Sequence, residues 1–154
     1  MCGIIGIYSN NYIFYSRIIK LLKFLQHRGS DAYGVTFYKN KLITYKEIGK
    51  VKDVDNILDF IVKSCIGQTK YSTSKSMLIH KYIQPIESSN GFFSLVHNGN
   101  IPNLNMFDTK YLVEYIEKSE YKSFKNRLID LMENIVVSYS IIILTKNNDL
   151  YAMR

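Results

Sequence analysis

The first apolar run, residues 2–8 (Cys-Gly-Ile-Ile-Gly-Ile-Tyr), is short, rich in isoleucine and punctuated by Gly3 and Gly6, which predicts a buried strand. The period then changes. Phe14, Ile18, Leu21, Leu22 and Leu25 recur at helical spacing, which predicts an amphipathic helix over 12–26. Residues 26–31, with Gly29, read as a loop. The β-rich runs 33–38 and 42–45 predict a hairpin turning at Lys39-Asn40-Lys41. Ile57, Leu58, Ile61 and Val62 fall on one helical face, which predicts a second helix with Asp53 as N-cap. Residues 66–71 predict a third strand, followed by a Ser/Thr/Lys loop through Ser76. Residues 91–97 predict a fourth, running into Asn98-Gly99-Asn100, a strong turn signal. Asp108 opens a helical pattern with Leu112, Tyr115 and Ile116, and a further helix is predicted over 124–135. Residues 139–144 and 150–153, joined by Lys146-Asn147-Asn148, close the chain as a hairpin. Hairpins interleaved with helices, without repeats or a Pro/Gly linker, predict one layered α+β domain over 1–154.

Composition narrows the classes. A chain of 154 residues can bury roughly 68–70% of its unfolded surface, enough for a core without staples. Its 47% hydrophobic and 21% charged content excludes disorder. No apolar run approaches the roughly 20 residues of a spanning helix, and the start lacks a basic n-region, so neither a membrane span nor a secretory signal is expected. Two cysteines cannot make a disulfide framework, which points to a reducing compartment and a cytoplasmic location. Cys65, in an apolar run, reads as a small core hydrophobe. The 20 Lys+Arg against 13 Asp+Glu give a charge of +7, which raises nucleic-acid binding as a function. The lysines are scattered from Lys20 to Lys146, however, with no basic block and no zinc-ligand spacing, so they read as a solvated surface and no nucleic-acid partner is expected.

Cys2 carries the chemistry. Cysteine is small enough to permit removal of Met1, and a leading cysteine then holds two useful groups on one residue. Its thiol is a nucleophile, and its α-amino group titrates near pH 8 in models, so it can act as a base. Such a residue needs no separate histidine or aspartate. Position alone does not separate this from a chance Met-Cys start.

The remaining segments do. Residues 1–7 (Met-Cys-Gly-Ile-Ile-Gly-Ile) resemble the opening of class II glutamine amidotransferases. Residues 25–34 (Leu-Gln-His-Arg-Gly-Ser-Asp-Ala-Tyr-Gly) resemble their second motif, in the version found in the glutaminase domain of amidophosphoribosyltransferase. Gly67-Gln68-Thr69-Lys70-Tyr71-Ser72-Thr73 is similar to the third, with Gln84-Pro85 a short element after it, and His97-Asn98-Gly99-Asn100 is similar to the fourth. Residues 139–154 resemble the later strand pair. The resemblance runs in order along nearly the whole chain. It implies an Ntn-hydrolase fold, a four-layer αββα sandwich of two antiparallel sheets, truncated at the C-terminus. It implies release of ammonia from glutamine, or a related γ-glutamyl amide, through a thioester on Cys2, without a cofactor or metal.

By the same resemblance, Asn98 (side-chain NH₂) and Gly99 (backbone N–H) are the oxyanion donors; taken alone, the pair reads as a hairpin turn. Arg28 and Asp31 shape the site, through a mutual ion pair in one reading, and Thr73 contacts bound glutamine. His27 lies in the second motif, and His80 reads as a surface residue. Several features depart from the family, among them Val137-Ser138-Tyr139 in the late strand, which lacks the family's glycine before its aromatic. Lys70 stands where the family has the arginine that holds the α-carboxylate, a point charge in place of a bidentate fork, and predicts weaker glutamine binding or a different γ-glutamyl donor. Gln68 replaces the more usual histidine. Asp108, ten residues after Asn98, comes far sooner than the family's α-amino-binding aspartate, and it fills that role or is a helix N-cap. No phosphoribosyl-binding loop is present, so the ammonia would pass to a separate synthase or transferase partner or be released. The alternative is a catalytically impaired binding or regulatory protein on the same scaffold.

Overall fold

A computed structural model of the chain describes residues 2–53, 60–72, 80–102, 104 and 107–154. The strands are β1 (Gly3–Phe14), β2 (Ala32–Tyr38), β3 (Leu42–Ile48), β4 (Ile61–Lys70), β5 (Ile86–Glu87), β6 (Phe93–Gly99), β7 (Tyr139–Thr145) and β8 (Leu150–Met153); the helices are α1 (Tyr15–Phe24), α2 (Asp108–Lys118) and α3 (Phe124–Asn134). Among the described residues, two four-stranded sheets form, ordered β1-β4-β2-β3 and β5-β6-β7-β8, and every pairing is antiparallel.

Side-chain alternation along the strands builds the layers. On β4, Cys65 faces α1 and packs with Ile18, Ile19, Leu22, Val35, Phe37 and Val62, whereas its neighbour Ile66 faces the second sheet. On β6, Val96 meets Ile66 between the sheets with Leu144, Ile142 and Ile4, whereas Leu95 faces α2 and α3 through Leu112, Ile116, Leu128 and Leu131. Helix, sheet, sheet, helix is the predicted four-layer sandwich. Thr36 adds a polar link across it, its hydroxyl lying 2.7 Å from that of Thr44 and 2.9 Å from that of Ser94.

Several boundaries differ from the sequence reading. The helix predicted over 12–26 spans only Tyr15–Phe24, because β1 resumes pairing after a bulge, with Ile13 opposite Val62 and Phe14 opposite Ile61. That pairing also puts Ile61 and Val62 in β4, not in a helix. Residues 54–59, including Ile57 and Leu58, lie outside the described residues, and Asp53 forms an ion pair with Lys23 (2.5 Å). Asn98 and Gly99 are not a turn: they continue β6, opposite Ser140 and Tyr139. The two-residue β5 carries no alternation that a sequence pattern can show. Among the described residues no helix is long and apolar enough to cross a membrane.

Candidate active site

Cys2 immediately precedes β1, whose first residue, Gly3, lies opposite Thr69 of β4. Cys2 thereby sits where β1, the end of β4 and the 26–31 loop converge. The loop is tied in place by its own polar residues. Gln26 Nε2 donates to Gly29 O (2.6 Å), Val51 N–H donates to Gln26 Oε1 (2.7 Å), and the Thr69 hydroxyl donates to Leu25 O (3.0 Å). A β-carbon on Gly29 would collide with the backbone of Lys70 and Tyr71, so only glycine lets the loop close against β4.

Arg28 Nε donates to the Cys2 carbonyl (3.2 Å), and the Asp31 carboxylate accepts the Ser72 N–H (2.8 Å). The contacts described for these two side chains thus lead to the backbone of Cys2 and Ser72. Cys2 N–H donates to Asn98 Oδ1 (3.3 Å), and its Sγ lies 4.0 Å from Tyr71 O. With the Asn98 oxygen turned to Cys2 N, its Nδ2 remains as the donor end.

Gly99 is oriented by the β6 ladder. Phe92 O accepts from the N–H of Lys146 (2.7 Å), just past the end of β7, whereas Phe93 O accepts from the N–H of Ser88 (2.9 Å), just past the end of β5 on the opposite side. Backbone groups alternate sides along an antiparallel strand, so the odd-numbered residues 93, 95, 97 and 99 turn theirs away from β7. The Gly99 N–H therefore points to the open edge of the strand. Met1 and Thr73 lie outside the described residues.

Lys70 ends β4 and is only 6% exposed. Its Nζ donates to Tyr82 O (2.8 Å) and lies 5.2 Å from the Phe107 ring centroid. Burial pushes the Lys70 pKa below its ordinary value, and the proximity of Cys2 works in the opposite direction. Asp108 is the first residue of α2, and makes no cap bond as an N-cap residue: the N-cap position is Phe107, and Asp108 Oδ2 accepts the Ile101 N–H (2.9 Å). His27 Nδ1 lies 2.9 Å from Phe24 O at the surface, and His80 is exposed. Cys65 is fully buried, and burial pushes its thiol up to about 12, as befits a core residue.

Behind the site lies a buried polar group that the sequence reading assigned no roles: Gln68, Gln84, His97 and Thr109. Gln68 Nε2 donates to His97 O (3.0 Å), His97 N–H donates to Gln84 Oε1 (2.5 Å), and Gln84 Nε2 donates to Thr109 Oγ1 (2.8 Å). For Gln68 and His97 the available signal was a polar residue within an apolar strand; Gln84 and Thr109 lie outside the strands and carried none. Burial pushes the His97 pKa below its ordinary value of 6.5, opposed by the Asp108 carboxylate. The unfolded chain therefore binds more protons than the folded one, and stability rises with pH through this window. His97 contributes fully above about pH 6.5, and the contribution is lost as pH falls through the lower native value. The urea midpoint is expected to drop between about pH 7 and about pH 5, and to drop less in His97→Gln. Equal drops in both proteins would count against a neutral buried His97.

No protein-family model matches the chain. Curated proteins do. The chain is 30% identical over 166 residues to an amidophosphoribosyltransferase of Archaeoglobus fulgidus, covering 94% of this chain and 36% of that protein. It is 32% identical over 169 residues to the chloroplastic amidophosphoribosyltransferase of Vigna aconitifolia (95% and 34%). It is 31% identical over 115 residues to a glutamine–fructose-6-phosphate aminotransferase of Listeria monocytogenes (73% and 19%). The glutamine phosphoribosylpyrophosphate amidotransferase of B. subtilis, solved with ADP and GMP, shares the fold with a TM-score of 0.75 at 22% identity, over 95% of this chain and 35% of that one. The chain thus spans about a third of the length of the amidophosphoribosyltransferases it matches. In sequence and fold alike, it is a homologue of the amidophosphoribosyltransferases with the Ntn-hydrolase architecture of a class II glutamine amidotransferase.

Proposed function

We propose that residues 1–154 form one amidotransferase-like unit that hydrolyses the side-chain amide of glutamine, or of a related γ-glutamyl donor, with Cys2 as nucleophile once Met1 is removed. The observation that carries this reading is the 3.3 Å contact from Cys2 N to Asn98 Oδ1, which ties the prospective nucleophile and base to the prospective oxyanion donor. The chemistry follows from that contact. The α-amine takes the thiol proton as Sγ attacks the amide carbon. The carbonyl oxygen becomes an oxyanion, facing Asn98 Nδ2 and the Gly99 N–H. Collapse breaks the C–N bond, and the proton held on the amine leaves with ammonia. Water then attacks the thioester, releasing the acid and restoring the thiol.

Lys70 receives the donor's α-carboxylate. Its ammonium has three N–H groups and spends one on Tyr82 O, so two remain for an incoming anion. Asp108 takes the α-amino group, Thr73 adds a polar contact, and Arg28 holds the Cys2 backbone. The ammonia passes to a separate synthase or transferase chain of the cytoplasm, or is released.

The test is treatment with a glutamine analogue carrying a chloroketone in place of the amide, followed by intact-mass analysis. One adduct on a chain lacking Met1, suppressed by excess glutamine, is the expected result. A chain that keeps Met1, or that forms no adduct, would overturn the enzymatic reading and leave a non-catalytic scaffold, for which Lys70 in place of arginine is the supporting observation.

A further inference from the structure

Among the described residues, the strand that carries Asn98 and Gly99 lacks a neighbour where it needs one. β5 contributes two residues, Ile86 opposite Leu95 and Glu87 opposite Ser94, and it begins only at Ile86, after Gln84-Pro85. Beyond Leu95, the backbone groups of β6 that face away from β7 have no strand among the described residues to pair with. At His97 these groups are deeply buried, where an unpaired N–H or C=O is costly. Two side-chain amides supply the missing partners. Gln84 Oε1 accepts the His97 N–H at 2.5 Å, and Gln68 Nε2 donates to the His97 C=O at 3.0 Å.

Gln84 is itself fixed from three directions. Its Nε2 donates to Thr109 Oγ1 (2.8 Å) in the first turn of α2, and that hydroxyl lies 3.5 Å from His97 Nδ1. A β-carbon on Gly34 would collide with the Gln84 carbonyl oxygen, so β2 presses directly on its backbone. Gln84, Gln68, His97 and Thr109 are each no more than 5% exposed, so the group is held by the core rather than by solvent.

We propose that Gln84 is a positioning residue for the oxyanion site: it stands in for the absent continuation of β5 and fixes the backbone of residues 97–99, so that the Gly99 N–H and the Asn98 side chain face Cys2. Gln84 acts through His97 and touches no substrate. The inference rests on the glutaminase reading, and extends it from the reacting groups to the scaffold that aims them. A displacement of about 1 Å in such donors costs up to about 10²-fold in rate.

Gln84→Met keeps the length of the side chain and removes both hydrogen bonds. In the full chain it is expected to lower kcat for glutamine hydrolysis by about ten- to hundredfold, with KM within about twofold. Alkylation of Cys2 by iodoacetamide, a displacement that builds no oxyanion, is expected to be unchanged. Should kcat stay at its natural value, or should kcat, KM and alkylation all deteriorate together, the assignment is wrong. Hydrogen exchange separates this failure from that of the underlying reading. If the natural chain hydrolyses no glutamine, the reading falls, yet Gln84→Met must still speed exchange of the His97 amide and shift the Gly99 amide resonance; unchanged amides overturn the positioning role. If Gln84→Met does not fold, Thr109→Val and Thr109→Ser serve instead. The valine is expected to reproduce a weaker kcat loss and the serine to restore the rate, and equal rates in both refute the proposal.

Discussion

Cys2→Ala is expected to lower glutamine hydrolysis by about 10⁴–10⁶-fold, the scale seen when an acyl-transfer enzyme loses its nucleophile. The same substitution should leave the thermal midpoint nearly unchanged. The thiol is only half-buried, and its described contact is a 4.0 Å approach to Tyr71 O, so little packing is lost with it. The backbone N–H to Asn98 Oδ1 and the Arg28 bond to the Cys2 carbonyl both survive, because neither involves the side chain of residue 2. A large rate loss without a stability loss separates a chemical role from a structural one. Cys65 provides the internal contrast: it is fully buried with its thiol pushed up to about 12, so it should take no adduct while the chain is folded. Steady-state ammonia release and thermal denaturation of the two proteins check the pair of outcomes. Residual hydrolysis near the natural rate would remove Cys2 from the chemistry.

The layered fold was legible where runs of β-branched and aromatic residues were long enough to be read. The β-rich runs 33–38 and 139–144 are of this kind, and the structure keeps both within β2 and β7. The misreadings share one cause. Residues 13–14 and 61–62 are apolar positions compatible with either period, and what decides them is their pairing with each other, 49 (Ile13–Val62) and 47 (Phe14–Ile61) positions apart along the chain. Asn98-Gly99 has the composition of a turn, yet the register with β7 carries the strand through it. The same limit applies to the site. The structure brings Arg28 and Asn98 each within hydrogen-bond reach of Cys2. Gln84 was noted only as part of Gln84-Pro85 and Thr109 not at all, because their place follows from where β5 begins, and a local pattern carries no record of that.

Asn98→Ala is expected to lower kcat by about 10²–10³-fold, or about 2.7–4 kcal/mol, the range for loss of one oxyanion donor. Alanine removes both ends of the amide at once, so the informative partner is Asn98→Asp. Aspartate keeps an oxygen toward Cys2 N, where Oδ1 now lies at 3.3 Å, but it has no Nδ2 to offer. If Asn98 served only to hold the leading amine, aspartate would rescue the rate. If Nδ2 stabilises the oxyanion, aspartate should be no better than alanine, because it sets a negative charge against the charge that develops in the transition state. A carboxylate beside the amine also favours its protonated form, so the rising limb of the pH–rate profile should move to higher pH in Asn98→Asp but not in Asn98→Ala. Near-natural kcat in Asn98→Asp, with an unmoved profile, would mean that the oxyanion is met elsewhere, and the Gly99 N–H at the open edge of β6 would then carry that role without Asn98.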